Sequence, residues 1–312
     1  MGSTPASGGD SRLALAAGFG CYFIWGLVPL VFQAIGRLGV SPWELLAHRT
    51  IWATPTALVF VVAAGQGGHA LRVLRTPRTL AWLVFSSLLI AANWSVYIWS
   101  VNSGHVLETS LGYYLTPLVS LAAGALMFHE RIGKVGLAAV ALALLGVALQ
   151  ALALGRIPAI SLALALSFGG YGIVRKRVAA EAQTGLFIEC LLLAGPGLLY
   201  AAWLERAGGG HFLHSPAAAA WLVACGPVTA VPLMLFSWAA RRIPLSAMGF
   251  LQFVSPTLSF FIGAAEGESL TPLRLVSFGF IWAGAAVFVW GAWTRARRFA
   301  RIETEAELER AA

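Results

Sequence analysis

The chain has 312 residues, of which 59% are hydrophobic and only 11% charged, and its mean hydropathy is +0.79. A soluble domain carries about 25% charged residues, and a soluble core could not bury so much apolar surface. The composition therefore excludes a soluble globular protein and indicates a chain that lies in a lipid bilayer.

Apolar stretches of membrane-spanning length follow one another along the chain. Each is close to the ~20 residues that an α-helix needs to cross about 30 Å of hydrocarbon. Lipid-exposed backbone must satisfy its own hydrogen bonds, which favours helices. The sequence predicts an all-α polytopic membrane protein with ten transmembrane helices, at residues 13–36, 45–64, 79–101, 107–128, 134–154, 158–174, 184–204, 216–240, 245–265 and 272–293.

The net charge of +8 is distributed unevenly between the two sides of the membrane. If the N-terminus is cytoplasmic, sixteen of the 21 Lys and Arg residues lie in cytoplasmic segments and four in outer loops, while Arg49 lies inside a span. This asymmetry follows the positive-inside rule. It predicts cytoplasmic N- and C-termini and contact with anionic membrane lipid, and it explains the basic charge without nucleic-acid binding.

Two spans carry the same pattern of residues. In the fourth and the ninth span a hydroxyl residue precedes a proline, and a glutamate follows that proline after 13 and 12 residues. A glycine in the next span follows each glutamate after 16 residues. The matched pairs are Pro117 and Pro256, Glu130 and Glu268, and Gly146 and Gly284.

This pattern predicts two inverted five-helix repeats, because a unit with an odd number of spans must enter the membrane from the opposite face when repeated. Inverted repeats build secondary transporters whose substrate site lies near the bilayer midplane. The predicted organisation is a disordered N-terminus (1–12), a first repeat (13–154), a linker (155–157), a second repeat (158–293) and a cytoplasmic tail (294–312).

Short motifs spread over almost the whole chain carry a family resemblance. They are Tyr22-Phe23-Ile24-Trp25-Gly26, Glu44-Leu45-Leu46-Ala47-His48-Arg49, Asn93-Trp94, Ser110-Leu111-Gly112-Tyr113, Glu181-Ala182-Gln183-Thr184-Gly185, and Gln252-Phe253 with Pro256-Thr257. Together and in this order they resemble the RarD-type permeases of the EamA family, in the drug/metabolite transporter superfamily. One departure is His129-Glu130, where the family pattern prefers Gly-Glu.

The resemblance implies a secondary transporter of small organic metabolites or drug-like solutes in the bacterial inner membrane, the plasma membrane of the cell. It favours export, with uptake or facilitated diffusion as alternatives. An intramembrane lipid-modifying enzyme is the other candidate, but it would need clustered catalytic groups, and Asp10, the chain's one aspartate, lies outside the spans. We therefore expect no enzymatic activity.

Amides and aromatic rings inside the spans are the candidate substrate-binding groups. Polar side chains are costly in a bilayer, and a concave site of aromatic rings with a few amides suits amphipathic or aromatic solutes. The alternative is structural, because amides also fasten neighbouring helices and aromatic rings also anchor spans at the membrane surface. The candidates are Tyr22, Trp25, Asn93, Trp94, Tyr113 and Gln252.

Arg49 lies near the start of the second span, where a cation opposes the helix dipole and needs a compensating group. Glu108, at the start of the fourth span, and Glu44 are the candidate partners. The pair would be either a fixed tie between two helices or an outer gate. Contact of Arg49 with a substrate carboxylate is the third possibility.

Glu189 is the counterpart of Arg49 in the second repeat, because Thr184 to Glu189 mirrors Glu44 to Arg49. Burial would favour the protonated form of Glu189 and make it a proton carrier. A nearby cation or donor would keep it an anion. A structural hydrogen bond to a neighbouring helix is the alternative to a gating or coupling role.

The sequence predicts neither a metal nor a cofactor. The cysteines and histidines show no metal-ligand spacing, and no Gly-rich phosphate loop is present. The fifth and tenth spans carry small and apolar residues that permit close helix contact. The predicted partners are a small-molecule substrate, membrane lipid and a second copy of the chain through these two spans, with no nucleic acid.

Overall fold

The computed structural model describes residues 8–103, 105–130, 132–154, 159–265 and 271–311. These ranges form helices and contain no strand, so the all-α prediction is confirmed. The helices are α1 (Gly8–Gly36), α2 (Pro42–Ala63), α3 (Gly67–Leu74), α4 (Pro77–Asn102), α5 (Val106–Met127), α6 (Lys134–Leu154), α7 (Ala159–Arg177), α8 (Ala182–Arg206), α9 (Pro216–Ala240), α10 (Leu245–Leu251), α11 (Val254–Ala265) and α12 (Pro272–Ala311).

Among the described residues, seven segments are long and apolar enough to cross a membrane by length and composition. Two shorter apolar segments, Leu111–Met127 and Leu275–Gly291, lie in α5 and α12. The protein is therefore a polytopic membrane protein, whereas the count of ten spans stays a prediction. The seven are Ser11–Gly36, Pro42–Ala63, Pro77–Ser100, Lys134–Leu152, Ala182–Arg206, Pro216–Ala240 and Leu245–Ile262.

The ninth predicted span is broken in the structure. α10 ends at Leu251, Gln252 and Phe253 form a turn, and α11 begins at Val254, two residues before Pro256. Proline lacks the backbone N–H that would continue the helical hydrogen bonds, and its ring clashes with the preceding turn. The break places the Gln252 amide at a helix interruption inside the bundle.

Three other elements differ from the predicted bounds. α3 is a short helix in the loop between the second and third predicted spans, and its buried Val73 packs with Leu83 and Ile188. α1 begins before residue 13, inside the segment expected to be disordered, and α12 continues past residue 293 to Ala311. The helical pattern therefore extends beyond the hydrocarbon-length stretches at both ends of the chain.

Close helix packing explains two glycines that the sequence repeat pairs. A Cβ at Gly146 of α6 would lie 2.6 Å from the carbonyl oxygen of Ser277, and a Cβ at Gly284 of α12 would lie 2.7 Å from that of Ala139. Small residues let helix backbones approach in a membrane. α6 and α12 therefore pack against each other through a pair of reciprocal glycine contacts.

The connection from α5 to α6 turns at His129, whose φ is +52°. A residue with a Cβ adopts this left-handed conformation at a cost of about 1 kcal/mol, which glycine avoids. This is the position where the family pattern prefers glycine, so the departure in this chain carries a small backbone strain.

We expect His129→Gly to stabilise the protein by about 1 kcal/mol in denaturant or thermal unfolding, because the exposed imidazole contributes little packing. His129→Ala, which removes the ring and keeps the Cβ, is the matched control and should show no gain. Equal stabilities of the glycine and alanine variants would show that the backbone at His129 is not strained.

Candidate functional site

Five aromatic side chains form a cluster where α1, α7 and α9 meet. Tyr22 and Trp25 lie one turn apart on α1, with ring centroids 5.5 Å apart, and Phe168 lies 5.4 Å from Trp25. Tyr171, one turn beyond Phe168 on α7, stacks on Phe236 of α9 at 5.7 Å. Tyr22 and Trp25 were predicted from the sequence, whereas Phe168, Tyr171 and Phe236 were not. The shared spacing of three residues on α1 and α7 was the signal that could have found two of them.

Gln252 lies next to this aromatic cluster. Its side chain is buried, and its Oε1 accepts a hydrogen bond from Ser120 Oγ of α5 at 3.2 Å. The Tyr22 hydroxyl is buried and lies close enough to interact with the Gln252 side chain. The helix break therefore brings a buried amide and a buried phenol to one place, and their role in substrate binding stays a prediction.

Asn93 fastens α4 to α7. Its Nδ2 donates to the carbonyl oxygen of Leu164 at 2.9 Å and lies 3.0 Å from Ser167 Oγ. The side chain is buried, so these contacts satisfy the amide donors that the sequence analysis assigned to substrate. The structure thus gives Asn93 a helix-packing contact, and a role in substrate binding remains untested.

Arg49 is buried between α1, α2, α4 and α9. Its Nε donates to Thr229 Oγ1 at 3.3 Å. Its guanidinium carbon lies 4.0 Å from the centroid of the Trp94 ring and 5.5 Å from that of Phe32. Such cation–π contacts stabilise a desolvated cation by roughly 2 kcal/mol. Arg49 and Trp94, which were predicted separately as gating and binding residues, are therefore in contact.

The predicted carboxylate partners of Arg49 are placed differently. Glu44 is fully buried, and it accepts a hydrogen bond from the His211 backbone N–H at 2.6 Å and contacts His211 Nδ1 at 2.9 Å. No ion pair forms between Arg49 and Glu44. The side chain of Glu108 lies outside the described residues, so its pairing with Arg49 stays a prediction.

Two tyrosines complete the surroundings of Arg49. Tyr97 of α4 and Tyr113 of α5 have ring centroids 5.8 Å apart. Both phenol groups lie close enough to interact electrostatically with the Arg49 guanidinium. We call Arg49, Trp94, Tyr97 and Tyr113 the Arg49 site. It combines one buried cation with aromatic surface.

Glu189 and Arg175 form a buried ion pair. Arg175 Nη1 lies 3.6 Å from Glu189 Oε1, and the side chains are 0% and 3% exposed. Ser86 of α4 donates a short hydrogen bond to Glu189 Oε1, and Tyr171 donates to Oε2 at 3.2 Å. The sequence left open whether Glu189 has a cation or a hydrogen-bond donor nearby. The structure places both a cation and two donors next to its carboxylate.

Arg175 is itself tied to two other helices. Its Nε donates to Ser237 Oγ of α9 at 3.1 Å, and its Nη2 donates to the carbonyl oxygen of Ala182, at the start of α8, at 3.0 Å. A Cβ at Gly185 would lie 2.0 Å from Arg175 Nη1, so only glycine leaves room for the guanidinium there. The pair thus fastens α4, α7, α8 and α9 together.

A cavity of about 260 Å³ lies between α2, α4 and α8. Ala47 and Thr50 line it from α2, Trp94 from α4, and Gly197 and Tyr200 from α8. Trp94 therefore borders the cavity and also contacts Arg49. The Trp94 ring is therefore shared by the Arg49 site and the lining of the cavity.

The structure offers no metal centre in the part of the chain that it describes. Cys21, Cys190 and Cys225 are buried and free, and no three His, Cys, Asp or Glu side chains in the described ranges are grouped to hold a metal ion. The expectation of a protein without a metal or cofactor is left untested by this observation.

Glu130, which ends the proline–glutamate pattern of the first repeat, caps the start of α10. Its oxygens accept hydrogen bonds from the backbone N–H groups of Leu245 at 2.7 Å and Ser246 at 2.9 Å, and Lys176 Nζ lies 3.3 Å away. Burial alone would raise the pKa of Glu130, but these donors and the Lys176 cation hold the pKa below its usual value. The ionised carboxylate thus joins α5, α7 and α10.

We expect Glu130→Gln to destabilise the protein by about 1–3 kcal/mol at neutral pH, because the amide accepts fewer hydrogen bonds and no ion pair. A group with a lowered folded-state pKa contributes stability above its unfolded value and loses it as pH falls through the folded value. Unfolding measured against pH should show the two proteins converging below about pH 4.5, the usual value for a glutamate. A difference that is constant with pH would contradict the charged cap.

Comparisons with known proteins identify the family to which the chain belongs. A family model described as the EamA-like transporter family matches residues 12–152. The chain is 39% identical to Protein RarD of Streptomyces exfoliatus, over 95% of each chain. It is also 39% identical to Protein RarD of Escherichia coli (strain K12), over 92% of this chain and 95% of that one.

A solved crystal structure shares the fold, with a TM-score of 0.67 at 23% identity, over 88% of this chain and 96% of that chain. The likeness to that structure covers nearly the full bundle, and the identity to the RarD proteins extends over both halves of the chain. The chain belongs to the RarD-type permeases of the EamA family of membrane transporters.

Proposed function

We propose that the protein is a secondary transporter that exports small organic metabolites or drug-like solutes across the bacterial inner membrane by alternating access. The observation that carries the proposal is a pair of matching polar contacts, each of which joins a helix of the first half to a helix of the second half. Arg49 of α2 bonds the hydroxyl of Thr229 on α9, and Glu189 of α8 bonds the hydroxyl of Ser86 on α4.

These contacts support a ten-span protein of two inverted repeats. Arg49 and Glu189 each lie seven residues after the first residue of their helix, Pro42 in α2 and Ala182 in α8. If α2 corresponds to α8 and α4 to α9, the two contacts are equivalent. They then lie at opposite depths, because the second repeat enters from the other face.

The helix packing supports the same relation. α1 packs against α9 and α11, and its proposed counterpart α7 packs against α4 and α5. α6 and α12, which would be counterparts, pack against each other through reciprocal glycine contacts. The Tyr22 and Trp25 pair of α1 recurs as Phe168 and Tyr171 of α7. The contacts of α1 thus have counterparts in those of α7.

The positions of the buried polar contacts in this topology support the proposal of alternating access. With cytoplasmic termini, the buried ion pair Arg175–Glu189 and the Glu130–Lys176 contact both lie toward the cytoplasm. These contacts tie α4, α5, α7, α8, α9 and α10 together. The cavity beside Trp94 lies toward the outside. In this arrangement the inner side is closed, and release of the two ion pairs opens it.

Transport by purified protein in proteoliposomes tests the proposal. We expect saturable flux of at least one member of a panel of labelled amino acids, amines and antibiotics, with counterflow stimulated by the same unlabelled compound. Conversion of lipid or solute into a product without flux would favour an intramembrane enzyme. Flux that shows no saturation and no counterflow would contradict a carrier.

Glu189→Gln is expected to lower the transport rate at least tenfold and to flatten its pH profile. The glutamine keeps a hydrogen-bonding side chain, but it can neither carry a proton nor balance the charge of Arg175. The measurement is initial flux between pH 5.5 and 8.5, with Glu205→Gln on the same helix as control. An unchanged rate and profile would remove Glu189 from the mechanism.

A further inference from the structure

We propose that Arg49 binds the carboxylate of a small organic anion whose apolar body lies against Trp94, so that amphipathic monocarboxylates are the substrate class of this protein. The inference rests on the proposed transport function, since it names the substrate class that the Arg49 site selects. It follows from the surroundings of Arg49, from the partners of the other buried carboxylates, and from the shape of the guanidinium.

Most hydrogen-bond donors of Arg49 are unused within the described ranges. A guanidinium carries five N–H donors, and the one polar contact that the structure shows is from Nε to Thr229 Oγ1. The side chain is only 8% exposed. The four N–H donors of the two terminal nitrogens show no hydrogen bond to a described residue.

The buried cation also lacks a counterion in the described part of the chain. An unpaired charge inside a membrane protein is strongly unfavourable and marks a functional site by default. The described buried carboxylates are engaged elsewhere, because Glu44 binds His211 and Glu189 binds Arg175. A carboxylate on the substrate would supply the missing charge.

The geometry of Arg49 fits a single carboxylate group. Nε is fixed by Thr229, and the flat guanidinium is held over Trp94 at 4.0 Å. This leaves the terminal nitrogens to form the two parallel hydrogen bonds by which arginine binds a carboxylate. No second described cation interacts with Arg49, so one negative charge balances the site.

The remaining surface selects the body of the ligand. Tyr97 and Tyr113 supply aromatic surface and interact electrostatically with the guanidinium, and Trp94 supplies a large apolar ring. Such walls bury an apolar or aromatic group and leave the charged end to Arg49. A small inorganic anion would leave this surface without contact.

Equilibrium binding to the full chain in lipid nanodiscs tests the proposal with matched probes. The probes are 3-phenylpropionate, the neutral 3-phenylpropionamide, the cation phenethylamine, and phenethylphosphonate. Hydrogen bonds to a charged group predict about 10- to 100-fold tighter binding of the carboxylate than of the amide. Equal binding of the carboxylate and amide, or absence of carboxylate binding, would overturn the proposal, and so would tighter binding of the phosphonate.

Variants assign the binding to Arg49. We expect Arg49→Gln to weaken carboxylate binding about 10- to 100-fold, and Arg49→Lys to weaken it less, because lysine keeps the charge and loses the planar fork. The matched control is Arg37→Gln, because Arg37 is an exposed arginine at the start of the connection between α1 and α2. If Arg49→Gln does not fold, Arg49→Lys and Thr229→Val are measured in its place. Unchanged carboxylate affinity in both variants would contradict the proposal.

Glu108 provides the test of the structural alternative. If Arg49 is fixed by Glu108, Glu108→Gln should destabilise the fold as much as Arg49→Gln, and the double variant should add nothing. That result would overturn the proposal. We expect instead that Glu108→Gln keeps both the fold and the preference for the carboxylate.

Flux in proteoliposomes separates this inference from the proposed function. Carboxylate flux that depends on Arg49 supports both. Saturable flux of the amine or amide, with no carboxylate binding, overturns the substrate class and leaves the transporter in place. Carboxylate binding that depends on Arg49, together with product formation and no flux, overturns the transport function and leaves the anion site.

Discussion

Replacing Arg175 with methionine is expected to destabilise the protein by about 3–5 kcal/mol, because it leaves the buried carboxylate of Glu189 without its cation. Arg175 is fully buried, and it is also tied to Ser237 and to the start of α8. Methionine fills most of the volume of the side chain, so the loss reports the charge and the hydrogen bonds more than a cavity.

Unfolding of detergent-solubilised protein with increasing denaturant measures this loss. Arg177→Met is the control, because Arg177 lies on the same helix two residues further along and its side chain is exposed. The control should change stability by less than about 0.5 kcal/mol. Equal effects of the two variants would show that the Arg175–Glu189 pair is not a buried ion pair in the folded protein.

The double variant Arg175→Met with Glu189→Leu separates the ion pair from general packing. Removing both charges avoids the uncompensated carboxylate, and replacing a buried pair with apolar residues is often nearly neutral. We expect the double variant to be more stable than Arg175→Met alone, with a coupling free energy of about 1–3 kcal/mol. Additive losses would mean that the two side chains do not interact.

The sequence predicted most helix positions because membrane spans depend on hydropathy and length. The predicted bounds 134–154 and 216–240 coincide with α6 and α9. α3 was missed since eight residues with mixed polarity do not stand out in a loop. The break between α10 and α11 was missed as well, although Pro256 was noted, because Pro117 lies inside the unbroken α5. Whether a proline bends or interrupts a helix depends on its neighbours.

The sequence identified several residues of the candidate site, but it did not predict which side chains contact each other. Glu189 was identified because a carboxylate inside a membrane span is energetically costly. Its partner Arg175 was counted among three consecutive cytoplasmic cations, and nothing local distinguishes it from Lys176 and Arg177. The space that admits its guanidinium comes from Gly185, on another helix. Similarly, Arg49 was expected to meet a carboxylate, and among the described residues it meets aromatic rings and a hydroxyl.

Gly226→Ala should destabilise the protein by disrupting the contact of α2 with α9. A Cβ there would lie 2.3 Å from the backbone oxygen of Trp52 and 2.6 Å from its carbonyl carbon. Backbone atoms cannot rotate away as a side chain can, so the two helices must separate. Overpacking of this kind destabilises by about 1–3 kcal/mol and occasionally by more.

The same change should also weaken the Arg49 site. Gly226 lies one turn before Thr229 on α9, and Trp52 lies one turn after Arg49 on α2. Separating the helices at Gly226 therefore lengthens the hydrogen bond between Arg49 and Thr229, which is already 3.3 Å. Initial transport rates and the unfolding midpoint should both fall in Gly226→Ala.

Gly195→Ala on α8 is the matched control for Gly226→Ala. A Cβ at Gly195 would meet no atom within 4 Å, and alanine is favoured over glycine inside a helix by about 0.5–1 kcal/mol. We expect this control to be neutral or stabilising, with transport unchanged. If both glycine variants behave alike, the close approach of α9 to Trp52 does not hold in the membrane. In that case Thr229 does not orient Arg49, because the close approach of α2 and α9 positions both the Gly226–Trp52 contact and the Arg49–Thr229 hydrogen bond.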